Sequence, residues 1–238
     1  MKMMINVRKI KYARGIKREM SSLITLDCKE KQLRDISPKI KEHVASGKKI
    51  KLVNASHIFG LASGLKSGEI TIEGDIGDWL GMLNHGSRIT VNGNAGDYAG
   101  DNAWDGEILI KGNAGNAIGL YAYGGALVVH GNVGNGVGQM LKGGTIVVSG
   151  NVGDEVGMYM VGGKIIIGGN AGKDLGQTMI RGAIYIAGEP VSLGANTKFE
   201  KISKEDIDYI ASISKKYGIN FKSNEFKKIV PLAERPFY

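Results

Sequence analysis

The chain has 238 residues, with 31 Lys+Arg against 23 Asp+Glu, four Pro, 37 Gly and a single Cys. That length is ample for a self-sufficient core, and 42% hydrophobic content excludes wholesale disorder. No apolar run reaches the ~18 residues a membrane span needs, and one cysteine, Cys28, excludes an intramolecular disulfide and any Cys-rich zinc or iron–sulfur site.

The N-terminal stretch Met1 to Met20 is basic and lacks the apolar segment of a secretory signal, so the expected location is the cytoplasm. Residues 1–51 carry 15 basic and 5 acidic side chains, residues 52–188 carry 7 and 11, and residues 189–238 carry 9 and 7. The net charge of +8 is therefore an N-terminal property. Lys9, Lys11, Arg14, Lys17 and Arg18 offer charge to a nucleic acid, but only Tyr12 is interleaved with them and no nucleic-acid motif accompanies them. A solvated or partner-facing arm is the better reading. Next, Asp35 to Val44 reads as a short helix, with Ser37 as N-cap, Pro38 as first helical residue and Gly47 as the stop. Residues 1–47 thus form a basic arm and cap.

The central region, residues 48–190, is a repeat. Of the 37 glycines, 33 lie between Leu52 and Gly188, a stretch without proline, which excludes a collagen-like or Pro-rich linker segment. Gly74, Gly93, Gly112, Gly131, Gly150, Gly169 and Gly188 recur every 19 residues. So do Gly77, Gly96, Gly115, Gly134, Gly153 and Gly172, and likewise Gly81, Gly100, Gly119, Gly138, Gly157 and Gly176. The glycine opening each unit recurs from Gly68 to Gly182 with Ser87 as its one departure, and no insertion interrupts seven units. Two aliphatics at i, i+2 precede each central glycine, from Ile70/Ile72 to Ile184/Ile186, and belong on one face of a short strand. A 19-residue period is too short for a helical hairpin and lacks leucine-rich spacing. The reading is an all-β fold with flanking helices: a single-stranded parallel β-helix of about seven turns, about 34 Å long at a ~4.8 Å rise. The stretch Gly47 to Gly68 forms a degenerate first turn, with Ile50 and Leu52 one residue out of phase.

Corner glycines need φ > 0 or close backbone contact. The column Asp75, Asn94, Asn113, Asn132, Asn151, Asn170 suits a left-handed corner, with side chains hydrogen-bonding along a ladder. A phosphate-cradling role for Gly134 to Gly138 lacks the Lys-Ser/Thr of a P-loop and the acidic residue of a dinucleotide fingerprint.

Catalytic constellations are sparse. There is no G-x-S-x-G elbow, and His43, His57, His85 and His130 lack metal-ligand spacing. One cluster stands out: Asp97, Tyr98, Asp101, Trp104 and Asp105, with Asp78 and Trp79 one turn below. Trp79 and Tyr98 share a column and should stack. Exposed acids beside aromatics suit a carbohydrate or Ca²⁺ site, whereas the plainer reading is a turn whose aromatics pack under a terminal segment or a partner. The side chains between the inward aliphatics point outward, and five of them, Leu109, Val128, Val147, Ile166 and Tyr185, form an apolar stripe that needs a cover. That cover is either a terminal helix or another subunit; the first is the expectation, because a solenoid's own flanks usually cap it. The remaining segment, 191–238, holds a helix opened by Ser203-Lys204-Glu205-Asp206, running through Ile207, Ile210 and Ile213 to Gly218, and an extended tail.

The G-x-x-G-x-x-x-G pattern within this repeat resembles the GXGXG domain at the C-terminal end of the glutamate synthase large subunit, a superfamily that also supplies one of the polypeptides of formylmethanofuran dehydrogenase. The likeness covers roughly Ser56 to Pro190. The flanks, with Val191-Ser192-Leu193-Gly194-Ala195 and Asn224-Glu225-Phe226-Lys227-Lys228-Ile229, look like the tails of free-standing glutamate synthase-type proteins, including subunits of N-methylglutamate synthase. The uninterrupted repeat departs from the formylmethanofuran branch, which carries an insertion between turns. The resemblance implies a right-handed β-helix with no catalytic, cofactor or metal residue of its own. It implies a scaffold beside an FMN synthase-type subunit and a glutaminase-type subunit, with FMN and the iron–sulfur cluster in the partner. It leaves open a homo-oligomer and expects no membrane and no nucleic acid. Two alternatives stand: a formylmethanofuran dehydrogenase component, and a stand-alone carbohydrate-active or esterase-like β-helix enzyme. The residues expected at an interface are Trp79, Tyr98, Asp101, Trp104 and Asp105, and the stripe Leu109, Val128, Val147 and Ile166.

Overall fold

The structure, a computed structural model, describes residues 22–233; the arm residues Lys9, Lys11, Tyr12, Arg14, Lys17 and Arg18 lie outside them. The elements in order are β1 (Leu23–Asp27), α1 (Leu33–Ala45), β2 (Lys49–Val53), β3 (Glu69–Glu73), β4 (His85–Asn92), β5 (Asp105–Ile110), β6 (Ala126–Val129), β7 (Thr145–Val148), β8 (Lys164–Ile167), β9 (Ala183–Ile186), β10 (Thr197–Glu200), α2 (Lys204–Tyr217) and β11 (Lys227–Pro231). Strands β1 to β9 stack in chain order, each parallel to the last, and β11 then β10 close the sheet antiparallel. From β3 to β9 the register advances by 19 residues, so Ile70, Ile89, Ile108, Leu127, Ile146, Ile165 and Ile184 stand in one column. The step from β2 to β3 pairs Ile50 with Ile70 and Leu52 with Ile72, one residue longer, as the phase shift predicts. Isolated bridges from Ile76 through Ala95, Ala114 and Val133 to Val152 stitch a second side. This is a parallel β-solenoid of about seven turns. Its inward aliphatics and the Leu80–Leu175 column are buried together in one core.

The ends differ from expectation in two places. Strand β1 adds a rung before the repeat, where only an arm and a helix were expected; Leu23–Asp27 carries no 19-residue echo by which to find it. Helix α1 begins at Leu33 rather than after Ser37. The Gln32 N–H donates to the Asp35 carboxylate at 2.9 Å, which fixes the start, and Pro38 falls inside the helix, where it cannot donate to the Arg34 carbonyl. Ile36 and Ile40, one turn apart, are buried in the solenoid core and outweigh that lost bond.

The stripe is covered from within. Val128, Val147, Ile166 and Tyr185 are buried against Ile210, Tyr217 and Phe226, with Leu109, Ile213 and Val230 packed at the margin. Val128, Val147 and Ile166 are at 0% exposure and Leu109 is half-buried against them, so all four are internal packing and not an interface. The helix turns Asp206, Ile210, Ile213 and Tyr217 inward; Ile207 lies outside this cluster. Ser203 caps α2 by accepting from the Asp206 N–H at 3.2 Å, and Gly218, at φ 66°, ends it. The Tyr185 hydroxyl donates to Asp206 at 2.6 Å, and Lys228 bridges Asp206 and Glu200 at 3.0 and 3.1 Å. Burial would raise the Asp206 carboxyl, but Tyr185, the Ser203 N–H and Lys228 together hold it down to about 2.

Candidate protein-docking face

The repeat's glycines and asparagines serve a hydrogen-bonded spine. Each residue of the expected column accepts from the backbone N–H of its successor one turn on. Asp75 accepts from Asn94 at 2.7 Å, and Asn94, Asn113, Asn132 and Asn151 continue the series at 2.8 Å. None of these residues has the positive φ expected of a left-handed corner. A second, unforeseen ladder runs Asp78, Asp97, Asn116, Asn135, Asp154 at 2.6–2.9 Å. The glycine columns give these side chains room. A Cβ on Gly115 would lie 2.0 Å from Asp97 Oδ1, and one on Gly134 2.3 Å from Asn116 Oδ1. Neither glycine has φ > 0. Close approach, not left-handed backbone, therefore fixes this column.

The third column, Gly81, Gly100, Gly119, Gly138, Gly157 and Gly176, is left-handed as expected, at φ 62–74°. Other left-handed corners carry residues that are not glycine. Trp79, Tyr98, Leu83, Tyr121 and Tyr159 all have φ between 54° and 60°, at a cost of roughly 1 kcal/mol each that glycine would avoid. These are bulky side chains held outward at positions that favour none of them.

The seven residues of the expected acid–aromatic cluster do not converge. Trp79 stacks on Tyr98 at 5.4 Å and 7°, as their shared column predicts. Trp104 belongs elsewhere on the circumference, stacked in a column with His85 and Tyr123, at 5.7 and 4.2 Å with the ring planes nearly parallel. Lys142 closes that column, its Nζ 3.9 Å from the Tyr123 ring centre. Asp78 and Asp97 are spent as ladder acceptors. Asp101 accepts from the Asn102 amide at 2.9 Å, and its carboxyl is pushed up by burial. Asp105 accepts from the Gly106 N–H. Among the described residues, no group of three or more His, Cys, Asp or Glu is placed to hold a metal ion. Cys28 is buried, and burial beside Asp27 raises its thiol. The donor set does not fit an iron–sulfur cluster on this chain.

Sequence reasoning missed His85, Tyr123 and Lys142 as partners of Trp104, although the 19-residue spacing 85, 104, 123, 142 was there to be read. It also missed a neighbouring column in which Leu83, Tyr121 and Tyr159 stand on alternate turns. With Trp104, Tyr123 and Val161, these make an exposed ribbon across five turns, Trp104 being 49% accessible. The faces of Trp104 are taken by His85 and Tyr123, and Lys142 takes the remaining face of Tyr123. Trp104 and Tyr123 therefore meet solvent by their edges, not their faces. Sugars and bases stack on ring faces, so this column suits neither. Rigid aromatics with few charges among them are the composition of a protein interface.

Beside the ribbon, and sharing Asp105 with its edge, a groove of about 860 Å³ runs between the end of α1, the starts of the strands and α2. Its charges are paired across the seam: Lys49 with Glu69 at 2.5 Å, and Arg88 and Lys216 with Glu107 at 3.1 and 3.3 Å. Burial opposes ionisation of Glu107, but Tyr217 and Lys216 hold its carboxyl below the usual range.

Among the described residues, no helix is long and apolar enough to cross a membrane. No individual curated protein matches the chain. A family model described as the GXGXG motif matches residues 29–229, from just after β1 to within β11, and so takes in α1, the solenoid and α2. The chain belongs to the GXGXG motif family.

Proposed function

We propose that this chain is a non-catalytic scaffold subunit of a glutamate synthase-like oxidoreductase complex. It works in the cytoplasm beside an FMN synthase-type subunit and a glutaminase-type subunit, and FMN and the iron–sulfur cluster reside in a partner. Membership of the GXGXG motif family supports the reading, through that family's likeness to the glutamate synthase domain. The observation that carries it is the ribbon of Leu83, Trp104, Tyr121, Tyr123, Tyr159 and Val161. A stiff rod that covers one apolar stripe with its own helix leaves a second one open, and an open stripe of aromatics assembles proteins. Co-expression with the two catalytic subunits, followed by size-exclusion chromatography with light scattering, tests the proposal. The expected result is one complex containing all three chains, whose size falls when Trp104→Ala and Tyr123→Ala are combined. A wild-type chain eluting apart from both partners would refute the scaffold role.

A further inference from the structure

We infer that the occupant of the aromatic ribbon is a second copy of this chain, packed antiparallel about a two-fold axis that crosses the turn of β5 (residues 106–124). The inference rests on the reading of the ribbon as a protein-docking surface and goes further by naming the partner. Charge is the first argument. The turn before this axis ends in Trp104 and Asp105, both exposed, and the turn after it ends in exposed Lys142. Successive turns are stacked with a 19-residue register, so a two-fold axis lying in the face and across the rod exchanges the turn before with the turn after. Lys142 of one copy then meets Trp104 and Asp105 of the other, and the reverse contact forms at the same time, as an isologous interface requires. Ammonium against carboxylate and indole is an attractive pairing in each case.

The apolar positions obey the same operation. Tyr121 and Tyr123 lie on the axis and meet their own counterparts. One turn further out in each direction, Leu83 falls opposite Tyr159, and His85 opposite Val161. All six are exposed in the single chain, and the exchange sets no like charges against each other at these positions. A parallel arrangement would instead place Lys142 on Lys142 and Asp105 on Asp105, which is repulsive. The assembled complex would accordingly carry its catalytic subunits in pairs around the two-fold axis.

The test uses the full chain alone, by sedimentation equilibrium. The expected result is a concentration-dependent dimer. Lys142→Asp and Asp105→Lys should each weaken it at least about tenfold, and the combined swap should return it to within about threefold of wild type. Trp104→Ala with Tyr123→Ala, checked for retained β circular dichroism, should give a monomer independently of the charge variants. A wild-type chain that stays monomeric to roughly 100 μM overturns the inference. So does a dimer indifferent to both charge reversals, or one that the swap fails to restore. A monomeric chain that nevertheless needs the ribbon to join the catalytic subunits refutes the second copy and leaves the docking surface standing. A ribbon-dependent dimer that recruits neither subunit does the opposite.

Discussion

Gly134→Ala isolates the reason the repeat needs its glycines. The added Cβ would sit 2.3 Å from Asn116 Oδ1 and 2.9 Å from its Cγ, with the next neighbour, Asn116 Cα, at 3.4 Å. The Asn116 side chain must move, which breaks the 2.9 Å bond from the Asn135 N–H to Asn116 Oδ1. That bond is worth about 1 kcal/mol, and residual crowding adds about 1–2 kcal/mol. Stiffening of the unfolded chain returns about 0.4–1 kcal/mol, so the variant should lose about 1–3 kcal/mol. Asn116→Ala alone forfeits the same bond, about 1 kcal/mol. In the double variant the methyl enters vacated space, so its stability should match that of Asn116→Ala. The cycle then shows a coupling of at least about 1 kcal/mol, well above the ~0.5 kcal/mol expected of independent sites. Urea denaturation at constant m-value measures all four forms. Gly136→Ala is the control, because φ there is +71° and only the Gln139 side chain lies close, at 3.1 Å; its cost is backbone strain and should simply add to that of Asn116→Ala. Additivity at Gly134 as well would refute the close-approach account.

Val128→Asp should prevent folding of the lone chain, since it sets a carboxylate at a site with 0% exposure under α2; a folded variant by circular dichroism would show that α2 does not hold the stripe. Stability should fall as pH drops from about 4 towards 2, because Asp206 titrates at about 2 when folded and at its ordinary 3.8 when unfolded. A lowered carboxylate contributes in full above its unfolded pKa, by about 2 kcal/mol here, and loses that contribution as pH falls through its folded value, so Asp206→Asn should flatten that part of a thermal-melting pH profile. Ser203→Ala removes the cap on the Asp206 N–H and should cost about 1 kcal/mol, while Ser203→Asp should leave the melting temperature nearly unchanged.

The solenoid was legible because every turn meets the same surroundings. A 19-residue period writes the inward aliphatics, the asparagine ladder and the Trp79–Tyr98 stack directly into the sequence, and each pairing follows from stacking alone. Helix α2 was legible for a local reason: Ser203, Asp206 and Gly218 fix its ends within a few residues of chain. What the tertiary structure decided is whatever joins distant segments or chooses between two uses of one residue type. Strand β1 has meaning only as an edge beside β2. Pro38 tolerates its helix because Ile36 and Ile40 plug the open core. Glycine at Gly115 and Gly134 answers to a neighbour's side chain, whereas Gly81 and Gly100 hold left-handed corners as expected; Trp79, Tyr98 and Tyr121 hold further left-handed corners, which backbone propensity does not anticipate. The stripe at Val128 could not be assigned until α2 was seen lying on it. Trp104 drew attention through its neighbours in sequence, whereas its partners are one full turn away, since in a coil 19 residues along the chain amount to a single rung in space.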